Sequence, residues 1–124
     1  IWKVKPGVPG LETTLPLMLT QVNKGLISIQ ELVRLMAENP AKIFGLKRKG
    51  ELKEGFSADI TVVDLNKEKI IDSSKFYSKA KYSPFDGWRV KGVPVKTFVN
   101  GVLVMDHGEI VAEAGVGEII RRCF

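Results

Sequence analysis

Apolar residues recur at two different spacings along this chain, and the spacing changes near Gly50. Ahead of that point they repeat every three to four positions, the period of a helix face. Leu15, Met18, Leu19 and Val22 form one such stripe. Thr13 or Thr14 is the expected cap, Pro16 is tolerated in the first turn, and Gly25 ends the segment. Ser28-Ile29-Gln30-Glu31 has capping-box spacing and opens a second stripe of Ile29, Leu32, Val33 and Met36. Asn39-Pro40 predicts a third short helix, with Asn39 as its cap, Ala41, Ile43 and Phe44 as its apolar residues and Gly45 as its stop. No strand separates these segments, so their apolar faces need a partner that this part of the chain does not supply.

Beyond Gly50 the period is two. Ala58 to Leu65 reads as a strand with apolar residues on both faces, hence a central one. Lys69-Ile70-Ile71-Asp72 reads as a shorter strand, and Ser73 or Ser74 as the cap of one turn carrying Phe76 and Tyr77. Residues 78–92 contain Pro84, Gly87 and Gly92 and predict an extended loop pinned by Phe85 and Trp88. Val95 to Val99, Asn100-Gly101 and Val102 to Met105 predict a β-hairpin, because Asn-Gly accepts the positive φ of a type I′ turn. Asp106-His107-Gly108-Glu109 turns the chain again into Ile110-Val111.

Composition narrows the picture. The 124 residues carry a net charge of +5, with 44% hydrophobic and 27% charged residues, ordinary for a folded domain. No apolar run approaches the ~20 residues of a membrane span, so no membrane partner is expected. The basic clusters Lys47-Arg48-Lys49 and Arg121-Arg122 lie beside acids and lack interleaved aromatics. They read as solvated surface, and no nucleic-acid partner is expected. Cys123 is the one cysteine, which excludes an internal disulfide and fits a reducing compartment.

Candidate chemistry is sparse. His107 is the one histidine, too few for a metal cluster or for a Ser-His-Asp arrangement with its own elbow motif. It reads as a turn residue. Asp59 and Asp64 flank a strand and read as solvated ends. Glu12 precedes a helix and suits its N-terminus electrostatically. Pro6-Gly7-Val8-Pro9-Gly10 is the sharpest feature: two Pro-Gly pairs build a stiff turning loop whose glycines admit a ligand close to the backbone. The prolines remove the N–H donors that a phosphate cradle needs.

Several segments carry a resemblance that covers nearly the whole chain. They are Pro-Gly-Val-Pro-Gly-Leu-Glu-Thr, Leu-Pro-Leu-Met-Leu-Thr, Glu-Asn-Pro-Ala-Lys-Ile-Phe-Gly-Leu, Gly-Phe-Ser-Ala-Asp-Ile-Thr-Val-Val-Asp and Ser-Pro-Phe-Asp-Gly-Trp. Their order resembles the C-terminal part of dihydroorotases, hydantoinases and allantoinases in the cyclic amidohydrolase superfamily. Gly10-Leu11-Glu12-Thr13 and Ser83 to Trp88 lean towards dihydroorotase, whereas hydantoinases tend to place an acidic pair where this chain has Glu12-Thr13.

The resemblance implies an α/β fold. Residues 1–48 would be the substrate loop and C-terminal closing helices of a (β/α)8 amidohydrolase barrel. Residues 49–124 would be an all-β portion of a small composite β-sandwich. A complete barrel takes roughly 250 residues, and the chain opens at Ile1, so it reads as the C-terminal part of a longer protein. The implied reaction is reversible cyclisation of N-carbamoyl-L-aspartate to (S)-dihydroorotate and water in pyrimidine biosynthesis. Two zinc ions would supply the hydroxide and polarise the amide, with every metal ligand and catalytic group upstream. Of this chain's residues only Pro6 and Gly7 carry over, as substrate-binding; none is expected to be catalytic or to bind metal, and the 124 residues alone are expected to be inactive. A cytoplasmic homodimer follows from the same resemblance, with aspartate transcarbamoylase as a candidate partner. The alternatives are a hydantoinase, dihydropyrimidinase or allantoinase, or a non-catalytic dihydroorotase-like chain.

Overall fold

The computed structural model describes residues 7–120. Arg121, Arg122 and Cys123 lie outside the described residues. The described chain is mixed, with short helices followed by an antiparallel sheet.

Helix α1 spans Thr14–Asn23. Neither threonine caps it through its side chain. Thr13 occupies the cap position without such a bond, and Thr14 Oγ1 instead donates to the Gly10 carbonyl at 2.7 Å. The Gly10 carbonyl also accepts the Thr13 and Thr14 N–H groups, so the loop's own backbone closes the helix start.

Helix α2 spans Ile29–Val33 and opens on the expected capping box. Ser28 Oγ accepts the Glu31 N–H at 3.1 Å and Glu31 Oε2 accepts the Ser28 N–H at 3.0 Å. The Ser28 N–H, and then the Ser28 hydroxyl, which donates to the same Oε2 at 3.0 Å, hold the Glu31 carboxyl below its ordinary pKa. The helix does not stop before Asn39. A π-helical turn over Arg34–Glu38 carries it into α3, Asn39–Ile43. Asn39 is therefore not a cap: it has helical dihedrals, and its N–H bonds the Arg34 carbonyl five residues back. Pro40 supplies the reason. It has no N–H to give the fourth preceding carbonyl, and its ring would strike that carbonyl, so the ladder widens ahead of it rather than breaking.

The sheet has the order β1-β2-β3-β4, all antiparallel: β1 Ile60–Ile70, β2 Arg89–Val99, β3 Val102–Asp106 and β4 Glu109–Ile110. The two expected strands at 58–65 and 69–72 are one strand. Asp64 pairs with Val93 and Glu68 with Lys91, so Leu65, Asn66 and Lys67 loop out and pairing resumes. Asp64 Oδ1 stabilises the loop-out by accepting the Asn66 and Lys67 N–H groups at 2.9 and 3.1 Å. Among the described residues β1 is an edge strand and not a central one.

The expected loop 78–92 is shorter than its sequence suggests, because β2 begins at Arg89. Pro94 is accommodated at a bulge, where Val62 faces Lys96 and Val63 faces Pro94 while Val95 is left over. The freed Val95 carbonyl accepts the His107 N–H at 2.7 Å. Both turns fall where expected: Asn100 and Gly101 have φ of 49° and 82°, and His107 and Gly108 have φ of 49° and 96°.

Helix α1 packs on β2 through a gap that only glycine leaves. A Cβ at Gly92 would lie 2.7 Å from Leu19 Cβ. Beside it, Thr20 Oγ1 accepts the Lys91 N–H at 3.0 Å, and Asn23 Nδ2 donates to the Lys91 and Leu65 carbonyls, each at 3.0 Å. The helix thus satisfies the backbone groups that the β1 loop-out leaves unpaired. Ile71, Phe76, Val90 and Val93 form the buried cluster, flanked by Leu17, Phe85 and Val95.

Candidate functional site

The Pro-Gly loop enters the described structure at Gly7; Pro6 lies outside the described residues. Gly7 is exposed, with φ of 73°, and among the described residues no atom beyond its chain neighbours stands within 4 Å of where a Cβ would be. Its main chain is therefore open to a ligand on that side. Tyr82 Oη donates to the Gly7 carbonyl at 3.4 Å.

Glu12 holds the other end of the loop. Its Oε2 accepts the Tyr77 N–H at 3.1 Å and its Oε1 accepts the Ser78 N–H at 2.9 Å. The carboxylate thus serves the backbone of a distant segment rather than the free N–H groups of α1. Thr13 beside it is 1% exposed, and its hydroxyl has no partner among the described residues.

The segment that meets Glu12 is itself anchored. Ser83 to Trp88 folds back on residues 71–73: Ile71 exchanges backbone bonds with Gly87 and Trp88, each at 2.9 Å. Asp86 accepts the Ser73 N–H at 2.7 Å and its hydroxyl at 2.5 Å, which keeps the Asp86 carboxyl below its ordinary pKa. The turn at Ser73–Lys75 is capped by Asp72, not by a serine; Ser73 is taken by Asp86. Phe85 and Trp88 meet edge to face at 5.2 Å, and Phe85 packs against the buried cluster that contains Phe76. The two segments that lean towards dihydroorotase, Gly10 to Thr13 and Ser83 to Trp88, are therefore joined through residues 71–78.

The remaining candidates lie apart from this loop. His107 is a turn residue whose Nδ1 faces Asp106 Oδ1, and Asp106 also accepts Lys96 Nζ at 2.7 Å. Lys96, then His107, hold the Asp106 carboxyl low. Asp59 pairs with Lys49 and accepts the Asn100 N–H at 2.8 Å, so it ties the hairpin to the preceding loop instead of ending in solvent. Among the described residues no group of three or more His, Cys, Asp or Glu side chains could hold a metal ion. Their donor set does not fit a metal centre. Nor is any described helix long and apolar enough to cross a membrane. The sequence predicts Tyr77 only on the turn after Ser73, and Ser78 and Tyr82 only in the extended loop; an acid two residues past a Pro-Gly pair is the available signal for the partners of Glu12.

The Amidohydrolase family profile matches residues 10–104. An L-hydantoinase of Paenarthrobacter aurescens is 48% identical over 98% of this chain and 27% of its own length. A dihydroorotase of Methanothermobacter thermautotrophicus is 49% identical over 93% of this chain and 27% of its own. The solved structure of the L-hydantoinase (dihydropyrimidinase) from Arthrobacter aurescens superposes with a TM-score of 0.92 at 48% identity, over 98% of this chain and 27% of that one. The loop, the clasp and the sheet therefore sit in a chain that belongs to the amidohydrolase family. It spans about a quarter of the length of the curated relatives it matches.

Proposed function

We propose that this chain is the C-terminal portion of a dihydroorotase that interconverts N-carbamoyl-L-aspartate with (S)-dihydroorotate and water. Residues 1–48 contribute the substrate loop and barrel-closing helices, and residues 49–124 contribute to a β-sandwich. Pro6 and Gly7 contact substrate through the main chain. The zinc ions, their ligands and the catalytic groups belong to residues outside this chain, and the 124 residues alone are inactive. The assembled enzyme is a cytoplasmic dimer.

The observation that carries this reading is Thr13. It occupies the second position of the pair that tends to be doubly acidic in hydantoinases, and it is closed to solvent, with no partner for its hydroxyl among the described residues. A carboxylate there would be a buried charge without a partner, which is far costlier than a hydroxyl. The site as built suits Glu-Thr and resists an acidic pair. The second reading, a hydantoin-type ring hydrolase, draws its support from the 48% identity to an L-hydantoinase across 98% of the chain.

Turnover by the full-length protein separates the two. Ring closure of N-carbamoyl-L-aspartate far faster than hydrolysis of hydantoin is expected, and the reverse ranking would overturn the proposal. A full-length sequence lacking a His-x-His pair and a metal-bridging Lys would leave only the non-catalytic alternative.

A further inference from the structure

We propose that Glu12 is the positioning residue of the substrate loop, its carboxylate fixing residues 7–11 against residues 77–82 and thereby setting substrate affinity. This rests on the reading of Gly7 as a substrate contact. The loop has little packing of its own: Leu11 is 94% exposed and Val8 58% exposed. Among the described residues it is tied to residues 77–82 by polar contacts, through Glu12 at one end and the Gly7 carbonyl at the other. Of these Glu12 is the stronger. Its carboxylate spends one oxygen on each of two backbone N–H groups, at 3.1 and 2.9 Å, whereas the single Tyr82 contact is long, at 3.4 Å.

What Glu12 grips is rigid. Tyr77 and Ser78 follow Phe76, which is buried in the core cluster, and Ser73, which is held at two atoms by Asp86. A loop clasped to such a base reaches substrate already ordered, so the ordering cost does not fall on binding. Loss of the carboxylate frees the loop without touching the reacting groups. That predicts a rise in KM with little change in kcat.

The test uses the full-length enzyme with Glu12→Ala and Glu12→Gln. Amide hydrogen exchange is read at Tyr77 and Ser78, and KM and kcat are measured for both N-carbamoyl-L-aspartate and hydantoin. In Glu12→Ala, exchange at both amides is expected to rise roughly tenfold or more, the factor a charge-assisted hydrogen bond carries. KM for the substrate turned over rises by a similar factor while kcat stays within about threefold. Glu12→Gln keeps one acceptor oxygen and falls between Glu12→Ala and the parent, and it decides on the same readings if Glu12→Ala does not fold. Faster exchange with an unchanged KM would reduce Glu12 to a structural tie and overturn the proposal, as would unchanged exchange. Turnover of hydantoin in place of N-carbamoyl-L-aspartate would instead overturn the dihydroorotase reading, with the KM on hydantoin still deciding the role of Glu12.

Discussion

Asp59 shows how much a single carboxylate can organise. It pairs with Lys49 and accepts the Asn100 N–H, and these two partners, Lys49 first, hold its carboxyl below the ordinary range. The folded state therefore favours the charged form. Its contribution to stability is fully present above the unfolded value of about 4 and is lost as pH falls through the lowered folded value. Denaturant midpoints should drop on acidification below about pH 4. Asp59→Asn should have a lower midpoint at pH 7 and a shallower acid slope than the parent; parallel acid slopes would contradict this. The sequence showed a charged strand end and no more. Asn100 lies 41 positions away, and nothing local announces that its N–H needs an acceptor. Glu12 was opaque for the same reason, since its partners are 65 and 66 positions distant.

Elements defined by near neighbours were legible. The Ser28–Glu31 box and the Asn100-Gly101 turn are complete within four residues, so spacing alone specifies them. Elements defined by pairing were not. Leu65 to Lys67 breaks the alternation of β1, and only the register with β2 shows that the strand continues past it. Likewise Asn39-Pro40 has the composition of a helix start, yet the helix runs through it, with Leu32 buried before the junction and Ala41 beyond it, and a π turn absorbs the proline. The loop-out depends on α1, because Asn23 supplies donors to the Leu65 and Lys91 carbonyls. Asn23→Ala should therefore cost about 0.5–1.5 kcal/mol in chemical denaturation, the net worth of an intramolecular hydrogen bond. A change below about 0.5 kcal/mol would show that water replaces the amide freely.

At the scale of the molecule, the helical stripes foreseen from the sequence are only partly covered. Leu19, Leu32 and Ala41 are buried, while Val33, Met36, Ile43 and Phe44 remain exposed among the described residues. Apolar area of that kind favours association. The isolated 124-residue chain should run above monomer mass in light scattering and show no turnover. A monodisperse monomer with sharp tertiary signals would contradict the first expectation, and measurable ring closure the second. The hairpin turn has a consequence of another sort. Asn-Gly is the dipeptide most prone to lose its side-chain amide, through attack by the following backbone nitrogen on the asparagine carbonyl. Here that nitrogen, on Gly101, is bonded to the Ala58 carbonyl at 2.9 Å, and the Asn100 nitrogen is held by Asp59. Cyclisation to succinimide must wait until the turn lets go, so chemical ageing at Asn100 becomes a slow clock for how often this end of the sheet opens.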